Sequence, residues 1–108
     1  MKQAIFELEK YRARGAKVFT GRDKGKYVRN TSKFDEVEKN NDKIIFKIPA
    51  NLFSINPSFF EELLINVVIK LGKDGFWEKY EFVNEGNYKY EKPLNDAIDR
   101  ILRENNAL

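Results

Sequence analysis

The chain contains no cysteine and no histidine. The first absence excludes disulfides, thiolate metal sites and cysteine nucleophiles. The second removes the commonest general base and the commonest metal ligand. No apolar run approaches the roughly 18 residues of a membrane span, and no signal-peptide pattern opens the sequence. A soluble, cytoplasmic protein is therefore expected. Without His or Cys, a nucleophile–base pair would need unusual Lys or Tyr chemistry, so no enzyme, cofactor or metal site is expected.

What is present fits one domain spanning residues 1–108. A chain of this size buries roughly two-thirds of the surface its unfolded form exposes. The 42% hydrophobic and 14% aromatic content supplies a core and argues against disorder. The net charge of +3 is unevenly spread. Between residues 11 and 29 lie Arg12, Arg14, Lys17, Arg22, Lys24, Lys26 and Arg29, against a single acid, Asp23. Such asymmetry marks either a solvated face or a contact for nucleic acid, an anion or an acidic protein.

Ala4 to Leu8 reads as a first strand and Lys17 to Phe19 as a second, with a turn at Gly15. Thr20-Gly-Arg-Asp23 fits a capping box opening a helix from Gly21 to about Ser32, with Tyr27 and Val28 inward. Gly25 weakens that helix by about 1 kcal/mol relative to Ala, which points to a close backbone approach. Residues 35–42 are polar, acidic and turn-prone. Ile44, Ile45, Phe46 and Ile48 form a nearly continuous apolar run, read as a central strand covered on both faces. Pro49 ends it.

The longest periodic segment runs from Pro57 to Leu71. Phe59, Leu63, Val67 and Leu71 form one row, and Phe60, Leu64 and Val68 its neighbour. Gly72 supplies the stop. Phe76 and Trp77 are expected to seal the core, before a last strand over Tyr80 to Val83. A final amphipathic helix covers about Glu91 to Arg103, with Asp96–Arg100 and Asp99–Arg103 as i,i+4 pairs. The order β-β-α-β-α-β-α predicts an α/β domain: a four-stranded mixed sheet packed by three main helices.

Asn56-Pro57-Ser58 opens the long helix. A residue before proline is pushed to extended geometry, Asn is among the best N-caps and Pro is favoured at the first helical position. Ser58 then stands in the first turn, where a phosphate would meet free N–H groups and the positive helix end, with Glu61 and Glu62 opposing it. Capping alone and a regulated serine are both open. Gly21 to Lys26 lacks the spacing of a nucleotide P-loop; a looser anion site around Arg22 stays open. Glu61 with Glu62, or Asp35 with Glu36 and Glu38, lack further metal ligands at a fixed spacing.

Three blocks in this order resemble the STAS-like domain family of unknown function, a bacterial and phage family. They are Thr20-Gly-Arg-Asp-Lys-Gly-Lys-Tyr-Val-Arg29, Ser54-Ile-Asn-Pro-Ser-Phe-Phe60, and Lys70-Leu-Gly-Lys73 followed by Lys79-Tyr-Glu-Phe-Val83. The resemblance implies a STAS-like fold and a regulatory module that binds a partner, with a GHKL-type ATP-binding kinase as the partner class. It implies partner contacts at Ser54, Asn56, Ser58 and Phe59, with Ser58 as the phosphorylated serine. Asn56 stands where the family's motif has an acid, and Phe59 where glycine is usual. The alternative is a nucleic-acid-binding module using residues 11–29, with Arg22, Lys24, Lys26 and Arg29 as contacts.

Overall fold

Ile44, Phe46 and Ile48 alternate with Lys43, Ile45 and Lys47, and this period of two builds the central strand. In the computed structural model, which describes residues 2–106, that strand is β3 (Lys43–Ile48). It lies between β1 (Gln3–Glu7) and β5 (Tyr80–Asn84), parallel to both. A second, two-stranded parallel ladder joins β2 (Val18–Phe19) to β4 (Ser54–Ile55). The helices are α1 (Arg22–Ser32), α2 (Phe34–Lys39), α3 (Pro57–Lys79) and α4 (Glu91–Asn106), with a 3-10 turn at Leu8–Tyr11. The α/β layering matches expectation. The single four-stranded mixed sheet does not: the 3-10 turn and the bend at Gly15 carry β2 away from β1, and it pairs with β4 instead.

Parallel neighbours in the order β1-β3-β5 step across the sheet in one direction, so right-handed crossovers put the helices on one face. Ile44, Phe46 and Ile48 on that face are fully buried. The other face is open, contrary to the expectation of a strand covered on both sides. There Ile5, in register with Ile45, is 55% exposed. Lys43 pairs with Glu81 at 3.1 Å and Lys47 stands opposite Glu7, so charge and lysine stems take the place of a second helical layer.

α3 lies between α1 and α4. Its two predicted rows, Phe59, Leu63, Val67 and Phe60, Leu64, Val68, are all buried. Gly72 adopts φ +73°, a backbone conformation glycine enters without penalty, and breaks the regular helix where the sequence placed its stop. Two further turns then carry Phe76 into the core, stacked on Tyr80 at 4.4 Å. Trp77 is 39% exposed, so only Phe76 seals the core. α1 buries Gly25 and Val28, three residues apart, which turns Tyr27 outward beneath Lys24. Gly21 itself is the N-cap of α1, and no side chain caps the helix, so the Thr20–Asp23 capping box does not form.

Lys33, in the left-handed region at φ 54°, ends α1 and starts α2, a helix that runs into the polar, acidic residues 35–42. α2 buries Phe34 and Glu38, an i,i+4 pair concealed by the charge of its second member. In α4, Leu94, Ala97, Ile98 and Ile101 are buried as expected. The two expected ion pairs within it are replaced by Lys92–Asp96, Lys73–Asp99 and Arg100–Glu61, because the buried Glu61 draws Arg100 off its own helix.

Two substitutions test this packing. Leu64→Ala removes a fully buried side chain and is expected to lower unfolding free energy by about 2–5 kcal/mol. Gly25→Ala gains up to about 1 kcal/mol of helix propensity. Its new Cβ would nevertheless lie 2.5 Å from the Phe59 carbonyl oxygen. Net destabilisation by about 1–3 kcal/mol in urea melts is expected; a more stable variant would refute the contact.

Candidate functional site

β2 and β4 each lead directly into a helix. Phe19 and Ile55 form one buried rung, and the Asn56 amide donates to the Phe19 carbonyl at 2.9 Å. α1 and α3 therefore start side by side at the carboxyl ends of two parallel strands. Asn56 is extended, at φ −76° and ψ 141°. Its Oδ1 accepts from the Ser58 amide at 3.1 Å and from Ser58 Oγ at 3.0 Å, and the Phe59 amide donates to its carbonyl at 3.0 Å. The asparagine cap read from the sequence is thus present. Asn56 is exposed, while Ser54 and Ser58 are partly exposed.

Phe59 is fully buried against Phe19 and Phe60, with ring centroids 5.1 and 6.0 Å away. Its expected role as a contact residue is corrected accordingly: the ring fills the core and presents nothing to a partner. The side chain that sequence reasoning missed is Phe53, just before β4 and 79% exposed. No periodicity singles it out; its signal is an aromatic residue in the loop between two strands.

The basic stretch divides. Arg22 reaches Glu61 at 2.7 Å and Glu62 at 3.9 Å. Arg29 pairs with Glu62 at 3.4 Å and also donates to the Glu62 carbonyl. Arg100 reaches Glu61 from α4 at 3.4 Å. Glu61 is buried, and two guanidiniums offset the cost of holding its charge there. Arg29 is thereby held in a largely buried network, whereas Arg22 joins it from the surface, its side chain 58% exposed. Lys26 is exposed, and neither it nor Lys24 has an ion-pair partner among the described residues. The two glutamates one turn above Ser58 carry arginine partners, which reduces the like-charge opposition expected from sequence.

A second charged cluster joins α2 to the end of α3. Glu38 Oε1 accepts from Lys79 Nζ at 2.6 Å and Oε2 from Lys70 Nζ at 3.1 Å, while Asp35 accepts from Asn66 at 2.7 Å. Burial alone would raise the Glu38 carboxyl, but the hydrogen bonds and charges of Lys79 and Lys70 outweigh it and hold the pKa below its ordinary value. Burial pushes the neighbouring Tyr80 phenol far above its usual range, and Glu38 and Asp35 push it further. Lys79 Nζ also donates to the Glu38 carbonyl at 2.8 Å. No group of three or more acidic side chains able to hold a metal occurs among the described residues, and no helix among them is long and apolar enough to cross a membrane.

No protein-family model matches the chain, and no curated protein or solved structure matches it.

Because the folded pKa of Glu38 is depressed, its contribution to stability is present above its ordinary value of 4.5 and is lost as pH falls through the lower folded value. Glu38→Gln is expected to be less stable than wild type at neutral pH, with the gap narrowing progressively below pH 4.5. Urea midpoints measured across pH check this; parallel profiles would contradict it.

Proposed function

We propose that this chain is a non-enzymatic regulatory module that binds a partner protein through the β4–α3 corner, residues 54–60. The observation that carries the reading is the corner itself. Asn56 fixes the start of α3, Phe19 anchors the chain from β2, and the fixed backbone presents Ser54, Asn56 and Ser58 beside an exposed Phe53. Polar groups on a rigid turn next to an exposed aromatic ring suit protein recognition better than a core role. The STAS resemblance supplies the partner class, a GHKL-type ATP-binding kinase, and makes Ser58 the residue that kinase modifies. The pairing of the largely buried Arg29 with Glu62 removes one of the four basic contacts that nucleic-acid binding would use.

A phosphate on Ser58 would add about 1.5–2 negative charges at the centre of the contact. Ser58→Asp is expected to weaken binding of a partner captured from the native host by roughly tenfold, about 1.4 kcal/mol. Ser58→Ala keeps binding and changes stability by less than about 1 kcal/mol, because the cap is Asn56. Asn56→Ala is expected to lose about 1 kcal/mol of stability. Intact-protein mass spectrometry, calorimetric binding and thermal melts make the comparison. Equal partner binding by Ser58→Asp and wild type, with Ser58 unmodified in the host, would overturn the serine switch.

A further inference from the structure

Beyond the carboxyl ends of β3 and β5, the two following loops enclose a cleft of about 440 Å³, lined by residues 50–52 and 85–88. The volume falls in the range of about 300–1,000 Å³ typical of ligand sites.

Both walls are fixed from behind. The Arg12 guanidinium donates to the carbonyls of Ala50, Asn51 and Ala16. Asn51 holds a left-handed φ of 60°. On the other wall, the Glu85 amide donates to the Ile48 carbonyl at 2.8 Å, and Tyr88 Oη to the Ile55 carbonyl at 3.3 Å. Asn84 closes the loop, accepting from the Gly86 amide at 3.1 Å and donating to the Tyr88 carbonyl at 2.8 Å. A Cβ on Gly86 would lie 2.8 Å from Ala50 Cα, so the walls meet at the floor. A cleft built this way loses little freedom when it is filled.

Its rim has a defined chemistry. Phe53, 79% exposed, directly follows the wall residue Leu52. The Phe53 amide donates to the Lys17 carbonyl at 2.7 Å, which places Lys17 across the ladder from it. Lys17 is exposed and has no ion-pair partner among the described residues. Within the wall the only charged side chain is Glu85, flanked by the carboxamides of Asn51 and Asn87. An apolar anchor, two carboxamides able to meet peptide groups and a basic flank on one side only define a directional site. A nucleic-acid backbone would meet Glu85 and find no cation in the wall.

We propose that this cleft receives an extended segment of a partner protein. An apolar side chain of that segment packs on Leu52 within the cleft, the segment continues over Phe53 at the rim, and an acidic residue faces Lys17. The inference rests on the partner-binding reading of the adjoining α3 start and names the chemistry of the partner that reading leaves open.

The test is a peptide-display library panned against the full chain, followed by fluorescence anisotropy with one enriched peptide. Enriched peptides are expected to carry Asp or Glu beside a large apolar residue and to bind more weakly as salt rises. Phe53→Ser and Lys17→Glu, each checked for wild-type melting, are expected to weaken binding at least about tenfold. A peptide with Lys in place of its acid is expected to restore binding to Lys17→Glu. Failure to enrich such peptides, binding indifferent to both variants, or binding only of a DNA or RNA oligonucleotide would overturn the proposal. Ser58→Asp run in parallel separates the two readings: binding lost with Phe53→Ser but kept with Ser58→Asp supports the cleft and counts against the serine switch.

Discussion

A Cβ on residue 25 would sit 2.5 Å from the Phe59 carbonyl oxygen and 2.9 Å from Glu62 Cβ, so the α1 and α3 backbones meet only because that residue is glycine. Much else depends on this approach. It brings Arg22 and Arg29 within reach of Glu61 and Glu62, two and three residues further along α3 from the Phe59 carbonyl. It lets Val28 enter the core while Tyr27 stays outside. It also sets α1 beside α3 from their first turns, where β2 and β4 release them together. The loss of helix propensity at Gly25, read from the sequence as the sign of a close backbone approach, is the condition for the helical layer.

Two buried acids then fix how that layer is arranged. Glu61, on α3, takes one arginine from α1 and one from α4. Glu38, on α2, takes two lysines from α3. Each carboxylate would be costly to bury alone, and each is held by cations from other helices. The apolar core cannot distinguish small rotations of one helix over another, because Leu, Val and Phe contacts are non-directional. A carboxylate with two cations at defined distances can. The charged pairs therefore add orientation to a fold whose main stabilisation comes from the rows on α3.

The sequence was most legible where one pattern dominated. The rows Phe59–Leu63–Val67 and Phe60–Leu64–Val68, the Gly72 stop and the Asn56 cap could be read locally, since each follows from neighbours within one or two turns. What could not be read depended on distant partners. α2 was concealed because its second buried residue is Glu38, polar by type and buried only because Lys70 and Lys79 arrive from another helix. The capping box at Thr20 failed through a one-residue shift that made Gly21 the cap. The open face of β3 could not be foreseen from an apolar run, which looks alike whether helices cover one face or two. At the candidate site, Asn56 and Ser58 were legible through capping rules. The burial of Phe59 and the exposure of Phe53 were not, because both follow from the short β2–β4 ladder.

That ladder also explains why the candidate surfaces gather at one end of the molecule. The outer face of the sheet is already balanced, with Lys43 against Glu81 and Lys47 opposite Glu7. The helical layer has matched its buried charges internally. At the carboxyl edge the chain turns at Asn51 and at 85–88 after β3 and β5, and into two helix starts after the two-residue strands β2 and β4. Phe53 lies just before β4 and is exposed, while Ile55 within the strand is buried. Turns leave polar groups pointing outward, and hydrogen bonds donated by Arg12 and Tyr88 and accepted by Asn56 and Asn84 hold them in place. An exposed ring, exposed lysines and arginines and a stiff polar backbone coincide there as a consequence of how the fold ends its strands, and that coincidence is what gives this edge the chemistry of a recognition surface.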